Sequence, residues 1–179
     1  MGALAAWGWS NPSNASEAPT GWLQPRLKVP ALQVIDSEGR KTSLDAAVSG
    51  KVTAVQLVFT GCSSTCPIQG ALFAAIAARR RSADVQLLSI SIDALGDTPA
   101  ALSSWQARFG KHPAWRAAVA DVRDVDRIGD FMKGVAGKSG THTAQVFVFD
   151  PQGRLAYRTG DSPGINEVEA LVARLSQAA

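Results

Sequence analysis

The sequence predicts a single α/β domain, in which a mixed β-sheet carries helices on both faces. Strand-like and helix-like segments alternate along most of the chain, which is typical of a partly parallel sheet. Two of the strand-like runs, Val52–Phe59 and Val85–Ile92, are almost entirely aliphatic and β-branched, as expected of strands buried on both faces. A turn at Asp150–Gly153 predicts a closing hairpin, which makes the sheet mixed. With 179 residues, 46% of them hydrophobic, the chain suits one domain with its own core.

The N-terminal part is predicted to contain a leader and a hairpin. Residues 1–25 are interpreted as a flexible leader and residues 26–179 as the folded domain, because residues 10–25 are rich in Ser, Asn, Pro and Gly. Met1–Trp9 is apolar but shorter than the about 20 residues that cross a bilayer. We interpret it as the remnant of a signal or anchor, or as residues added for expression. Leu27–Ile35 and Arg40–Ser43 are predicted to form the hairpin.

The remaining elements follow from apolar periodicity and from capping residues. Asp97 or Thr98 is expected to cap a helix that has Pro99 near its first position and ends at Phe109. Trp105 and Trp115 are expected to pack around this helix. The other predicted elements are a helix over Pro67–Arg81, a short strand over Ala117–Ala120, a helix over Val122–Met132, strands over Val146–Asp150 and Leu155–Arg158, and a helix over Ile165–Leu175. This order is the thioredoxin pattern with an added N-terminal hairpin and an insertion.

Charge and composition argue against nucleic-acid binding. The chain has 18 basic and 15 acidic residues, and its net charge of +3 is small and evenly spread. It contains one Tyr and no interleaving of aromatic and basic residues on which bases would stack.

The two cysteines, Cys62 and Cys66, are predicted to lie where a buried strand passes into a helix. Amide groups at a helix N-terminus stabilise a thiolate, which is both a nucleophile and a metal ligand. A separation of four residues places two sulfurs on one face of a helix, where they could bind one metal ion or form a disulfide. The cysteine pair alone leaves these two uses open.

His142 is the second candidate site residue, because it precedes the strand expected beside Val52–Phe59. The loop that carries it should face the cysteine loop in this fold. Two thiolates and one imidazole form a soft, three-coordinate site that suits Cu(I) and can take a further ligand as Cu(II). Zinc normally requires a fourth ligand, and we interpret the other histidine, His112, as a surface residue.

Two alternatives to a metal site use the same cysteines. A thiol–disulfide oxidoreductase would use Cys62 and Cys66 without needing His142, although such enzymes usually have two residues between their cysteines rather than three. A peroxiredoxin-like enzyme is disfavoured, because Phe59 stands where such enzymes have a proline before the reactive cysteine.

Three ordered motifs resemble the Sco/SenC family of copper-binding, thioredoxin-like proteins that assemble cytochrome c oxidase. Phe59–Pro67 matches the F-T-x-C-x-x-x-C-P signature of that family. Ser91–Pro99 resembles its S-[IV]-D-P-x-x-D-T-P segment, with Ala94 in place of the first proline. His142–Gly153 resembles its segment from H-[ST]-x to D-P-x-G.

The resemblance implies that Cys62, Cys66 and His142 bind one copper ion per monomer, as Cu(I) or Cu(II). It also implies a metallochaperone that turns over no small substrate. Its partner would be subunit II of cytochrome c oxidase or another copper-accepting protein, with a copper donor or a thiol-reducing protein as a further partner. The chaperone would deliver copper to the binuclear site of subunit II or keep the cysteines of that site reduced. The resemblance further implies an extracytoplasmic domain on the periplasmic side, anchored to the membrane in its full-length precursor.

Overall fold

The computed structural model describes residues 19–79, 82–135 and 143–178. Within these ranges the chain forms eight strands and five helices. The strands are β1 (Gly21–Lys28), β2 (Gln33–Asp36), β3 (Lys41–Ser43), β4 (Val52–Val58), β5 (Val85–Ser91), β6 (Trp115–Ala120), β7 (Val146–Phe149) and β8 (Arg154–Arg158). The helices are α1 (Leu44–Val48), α2 (Thr65–Arg79), α3 (Pro99–Ala107), α4 (Val125–Lys133) and α5 (Ile165–Gln177).

All eight strands form one mixed sheet, in the order β1-β8-β7-β4-β5-β6-β2-β3. β4, β5 and β6 are parallel, whereas β7 lies between β8 and β4 and runs antiparallel to both. Every residue of β4 and β5 is buried, as the aliphatic runs predict for central strands covered on both faces. Because the parallel strands end at the same edge, the loops that follow β4 and β5 are neighbours. We call this edge the carboxyl edge of the sheet.

The two faces of the sheet carry separate apolar cores, so the predicted α/β arrangement with helices on both faces is confirmed. One core packs Phe73 of α2, Leu102 of α3 and Leu171 of α5 against the sheet. The other packs Leu44 of α1 and Ile128 of α4 against the opposite face. The expected packing role of two tryptophans is also confirmed. Trp105 and Trp115 are both buried in the first core, with ring centroids 6.2 Å apart.

Two elements were not predicted from the sequence. β1 starts at Gly21 and pairs with β8, so the sheet includes residues 21–25, which the composition had assigned to the leader. α1 spans five residues between β3 and β4 and begins at Ser43, whose side chain accepts a hydrogen bond from the backbone N–H of Ala46. The predicted hairpin is present as β2 and β3, although its first strand is shorter than expected.

Helix boundaries differ from the predictions by a few residues. α2 begins at Thr65, so Pro67 lies within the first turn, where its missing N–H costs no hydrogen bond. α3 begins as predicted, with Thr98 as its N-cap: the Thr98 hydroxyl accepts from the backbone N–H of Ala101 at 3.1 Å. α4 begins at Val125 rather than Val122, after a turn closed by a backbone hydrogen bond from Asp124 to Asp121.

Candidate metal and redox site

The cysteine loop lies at the carboxyl edge, between the end of β4 and the start of α2. Cys62 is half-buried in the loop, and Cys66 is the second residue of α2 and fully buried. Both are free thiols. The predicted transition from strand to loop to helix is therefore confirmed, and it carries both cysteines at the N-terminal end of a helix.

Hydrogen-bond donors surround the sulfur of Cys62. The backbone N–H of Cys66 points to Cys62 Sγ at 3.4 Å. The hydroxyl oxygens of Ser64 and Thr65 each lie 3.7 Å from the same sulfur. Donors placed around a sulfur favour its ionised form, so the loop and the first turn of α2 form a cradle for a thiolate.

The two thiols differ strongly in acidity. Burial of Cys62 by itself would raise its pKa, but hydrogen bonds from Cys66, Ser64 and Thr65 outweigh this effect and lower the pKa to about 6. Burial raises the pKa of the Cys66 thiol to about 12, with contributions from its contact with Cys62 and from the negative charge of Asp97. At neutral pH the pair thus consists of an ionised, half-buried Cys62 and a protonated, buried Cys66.

Asp97 fastens the cysteine loop to the neighbouring strand. Its carboxylate, 6% exposed, accepts a hydrogen bond from the backbone N–H of Thr60 at 2.9 Å and another from the Thr60 hydroxyl. It also accepts from the Ser91 hydroxyl at 2.5 Å. The sequence had suggested Asp97 as a possible helix cap and as part of the Ser91–Pro99 motif, and the capping role belongs to Thr98. Asp97 instead joins the loop after β5 to the residue that precedes the cysteine loop.

His142 lies outside the described residues, so the structure does not test it as a ligand. The residues that follow it are described, and they lie at the carboxyl edge, because β7 runs antiparallel to β4 and begins beside its end. The carbonyl of Thr143 accepts a hydrogen bond from the side-chain amide of Gln69 at 3.4 Å. The Thr143 hydroxyl and the backbone N–H of Ala144 both donate to Asp161, at 3.1 and 3.0 Å. Thus Gln69, one turn after Cys66, holds the segment that enters β7.

Within the described ranges no group of three or more His, Cys, Asp or Glu side chains is arranged to hold a metal ion. His112 lies in the loop before β6, at the sheet edge opposite the cysteines, since β4 and β6 are both parallel to β5. It is half-buried, and its Nδ1 accepts a hydrogen bond from the backbone N–H of Ala114 at 3.2 Å. The structure therefore separates His112 from the cysteine pair, although it is less exposed than expected.

Sequence reasoning did not single out Gln69 or Asp161, and it missed the loop-fastening role of Asp97. These side chains act across long sequence separations, and their types are common in ordinary loops and helices. The local signals were that Asp97 directly precedes a capping threonine and that it lies within the Ser91–Pro99 motif.

The sequence profile of the SCO1/SenC family matches residues 24–177, nearly the whole folded region. The chain belongs to the SCO1/SenC family. Comparison with curated protein sequences gives no match.

Solved structures of Sco proteins share the fold at low sequence identity. A SCO1/SenC family lipoprotein from Bacillus anthracis has a TM-score of 0.70 at 20% identity and covers 85% of this chain and 96% of its own. ScoI from Bradyrhizobium japonicum, solved with copper bound, has a TM-score of 0.63 at 22% identity, with coverages of 83% and 99%. BsSco has a TM-score of 0.67 at 18% identity, with coverages of 85% and 95%, and is described as a Sco cytochrome c oxidase assembly protein with a disulfide switch. The predicted thioredoxin-like fold is thus confirmed.

In this SCO1/SenC protein, no helix within the described ranges is both long enough and apolar enough to span a bilayer.

Proposed function

We propose that this protein binds one copper ion through Cys62, Cys66 and His142 and passes it to a copper-accepting protein during assembly of cytochrome c oxidase. The observation that carries the proposal is the thiolate cradle at the start of α2, where Cys62 Sγ receives the N–H of Cys66. Membership of the SCO1/SenC family and the likeness to a copper-bound ScoI support it.

The donor set suits Cu(I). Thiolate sulfur is a soft ligand, and Cys62 is already ionised at neutral pH because its pKa is near 6. Cys66 keeps its proton in the metal-free protein, so copper must displace that proton when it binds to both sulfurs. Copper binding is therefore expected to release about one proton per ion at neutral pH.

His142 is proposed as the third ligand on the basis of its neighbour in the chain. Thr143 is held by Gln69, which lies three residues after Cys66 on α2. His142 directly precedes Thr143 in the chain, so the attachment of Thr143 to α2 near Cys66 supports the proposal.

The half-buried position of Cys62 suits transfer of copper rather than permanent storage. A partner can approach the sulfur of Cys62 from solvent, whereas Cys66 is shielded. The proposed acceptor is subunit II of cytochrome c oxidase, because BsSco is described as a cytochrome c oxidase assembly protein. The lipoprotein character of the Bacillus anthracis relative supports an extracytoplasmic location, with membrane attachment in the full-length precursor.

A second candidate function is thiol–disulfide exchange with a partner protein. The lowered pKa of Cys62 and the raised pKa of Cys66 favour this function. An ionised Cys62 can attack a partner disulfide, and Cys66 can then resolve the mixed disulfide. The disulfide switch described for BsSco supports the same chemistry. In this role the protein would keep the cysteines of an acceptor site reduced.

Anaerobic copper titration separates the two functions. Reduced protein should bind one copper ion, and protein with a Cys62–Cys66 disulfide should retain none, because the disulfide removes two thiolates. Cys62→Ser and Cys66→Ser should each abolish tight Cu(I) binding, because a hydroxyl is a hard and protonated ligand. His142→Ala should weaken copper binding and leave the rate of dithiol exchange intact, and His112→Ala, at the opposite edge, is the matched control.

Two outcomes would contradict the copper proposal. The first is equal copper retention by the reduced and the disulfide-bonded protein. The second is a His142→Ala variant that binds copper normally but loses dithiol exchange, which would assign the imidazole to redox chemistry instead.

A further inference from the structure

An apolar groove adjoins the cysteine pair on the side of α5. Its volume is about 310 Å³, and it lies between the first turns of α2 and the segment that leads into α5. The apolar side chains that line it are Ile68, Ala71, Leu72, Ala144, Pro163 and Ile165. No charged residue of the described chain lines it. Asp161, next to the groove in sequence, accepts hydrogen bonds from Thr143 and Ala144.

The groove is continuous with the thiolate cradle. Thr65 lines the groove, and its hydroxyl oxygen lies 3.7 Å from Cys62 Sγ. Ile68, two residues after Cys66, also lines the groove and is 66% exposed, so its aliphatic side chain is open to a molecule in the groove. A molecule that reaches Cys62 from this side must therefore contact an apolar surface.

Gln69 adds a polar feature to the groove wall. It is only 3% exposed, and its Nε2 donates to the Thr143 carbonyl. Its Oε1 is buried and accepts no hydrogen bond from the described part of the chain. Buried acceptors are normally paired, so Oε1 of this groove residue has the capacity to accept a hydrogen bond from a bound molecule.

We infer that the groove binds an extended, uncharged segment of the copper-accepting protein, with one aliphatic side chain in the groove and one backbone N–H on Gln69 Oε1. The inference rests on the proposed function, because a copper acceptor would have to bring a ligand within bonding distance of a copper ion held by Cys62. The residues that flank this ligand then meet the groove. An extended polypeptide can supply both a free backbone N–H for Gln69 Oε1 and an apolar side chain that fills the groove.

The test uses short peptides with one cysteine, activated as its mixed disulfide with thionitrobenzoate. The protein is the Cys66→Ser variant, in which the reaction stops after one step. The Cys62 thiolate attacks the peptide sulfur, the reagent S–S bond breaks, and thionitrobenzoate leaves with the electron pair as a coloured anion. The peptides are identical except for one residue, Leu or Asp, which is placed at successive positions on either side of the cysteine.

One position of the leucine should accelerate exchange by about tenfold over aspartate at the same position, the effect of burying one aliphatic side chain. The additional change Ile68→Asp should abolish this preference. Val122→Asp is the matched control, because Val122 is also an exposed aliphatic residue, 52% exposed, that does not line the groove.

A second pair of variants tests the groove by filling it. Ala71→Leu places a larger side chain in the groove wall and should reduce the leucine preference. Ala78→Leu makes the same change on an exposed part of the same helix that does not line this groove, and should leave the preference intact. The proposed hydrogen bond to Gln69 Oε1 is tested by N-methylation, which removes one backbone N–H from the peptide. At one position this change should slow exchange when Gln69 is present, and it should have no effect in the Gln69→Met variant.

Equal rates for the leucine and aspartate peptides at every position would overturn the inference. If one copper ion still bound to the parent protein, the proposed function would stand and only the groove assignment would fail. A leucine preference in Cys66→Ser, together with a parent protein that binds no copper, would instead support peptide binding in the groove and reject the copper proposal. Loss of the preference at higher protein concentration, with dimers in sedimentation, would reassign the groove to a second copy of the chain.

Discussion

The acidity of Cys62 can be tested by its rate of reaction with a small disulfide over a range of pH. The perturbation is the removal of one thiol at a time, in the variants Cys66→Ser and Cys62→Ser. In Cys66→Ser the backbone N–H of residue 66 remains, so the donor to Cys62 Sγ is kept. The pKa of Cys62 should therefore stay near 6, and its reaction rate should rise with pH to a plateau just above that value.

The expected magnitude follows from the thiolate fraction and from intrinsic nucleophilicity. At pH 7 a thiol of pKa 6 is about 90% ionised and one of pKa 9 about 1%, so Cys62 has about 90 times more thiolate. A thiolate whose pKa is about 3 units lower is about 20-fold less nucleophilic in disulfide exchange, for a Brønsted coefficient near 0.45. Cys62 should thus react about fourfold faster than an ordinary thiol at pH 7 and about 40-fold faster at pH 5.

The assay is stopped-flow reaction with dithiodipyridine, with rates expressed relative to N-acetylcysteine in the same buffer. Cys62→Ser provides the comparison within the fold, because Cys66 is fully buried and should react far more slowly at every pH below 9. A rate midpoint near 9 for Cys66→Ser would refute the account of the thiolate cradle. So would equal rates for the two variants at pH 5.

Two further predictions concern buried carboxylates. Asp97→Asn should lower the free energy of unfolding by about 1–3 kcal/mol in urea. The Thr60 N–H and the Ser91 hydroxyl share Oδ2, whereas the Thr60 hydroxyl donates to Oδ1, and the amide group of Asn has only one oxygen that can accept. The substitution should also lower the pKa of Cys66, because the negative charge of Asp97 contributes to raising it. Asp150→Asn should cost about 2 kcal/mol at neutral pH, because the fully buried Asp150 carboxylate pairs with Arg26 at 2.8 Å and also receives backbone hydrogen bonds.

The pH dependence of the Asp150 effect has a definite sign. Burial opposes ionisation, but hydrogen bonds led by that from Arg26 hold the pKa of Asp150 below its ordinary value of 3.8. The stabilisation is therefore present above that value and lost as the pH falls through the lowered pKa. Wild type and Asp150→Asn should converge in stability in acid, and Asp84→Asn, at an exposed carboxylate, is the control. A constant difference down to low pH, or a normal urea midpoint for Asp97→Asn, would contradict these assignments.

Much of the fold follows from local sequence patterns. The aliphatic runs of β4 and β5, the threonine cap of α3 and the turn between β7 and β8 each lie within a few consecutive residues, so their physical causes are visible in the sequence. The same holds for the cysteine pair, because a strand followed by a loop and a helix start requires only the order of neighbouring residues.

The elements that were missed lack such a local cause. β1 is half-exposed along its length. It is held in the sheet by pairing with β8, which lies more than 120 residues later in the chain. α1 has five residues, too few for an apolar repeat to stand out from chance. Their positions depend on partners that are distant in sequence.

The candidate site divides in the same way. Cys62, Cys66 and His142 could be named from the motifs, because the chemistry of thiol and imidazole belongs to the side chains themselves. The acidity difference between the cysteines arises from burial and from hydrogen-bond donors, which exist only once β4 and α2 are packed. Asp97 reaches Thr60 across 37 positions and Gln69 reaches Thr143 across 74, so only tertiary structure brings these partners together. Sequence thus determines which groups can react, and packing decides which sulfur carries the charge.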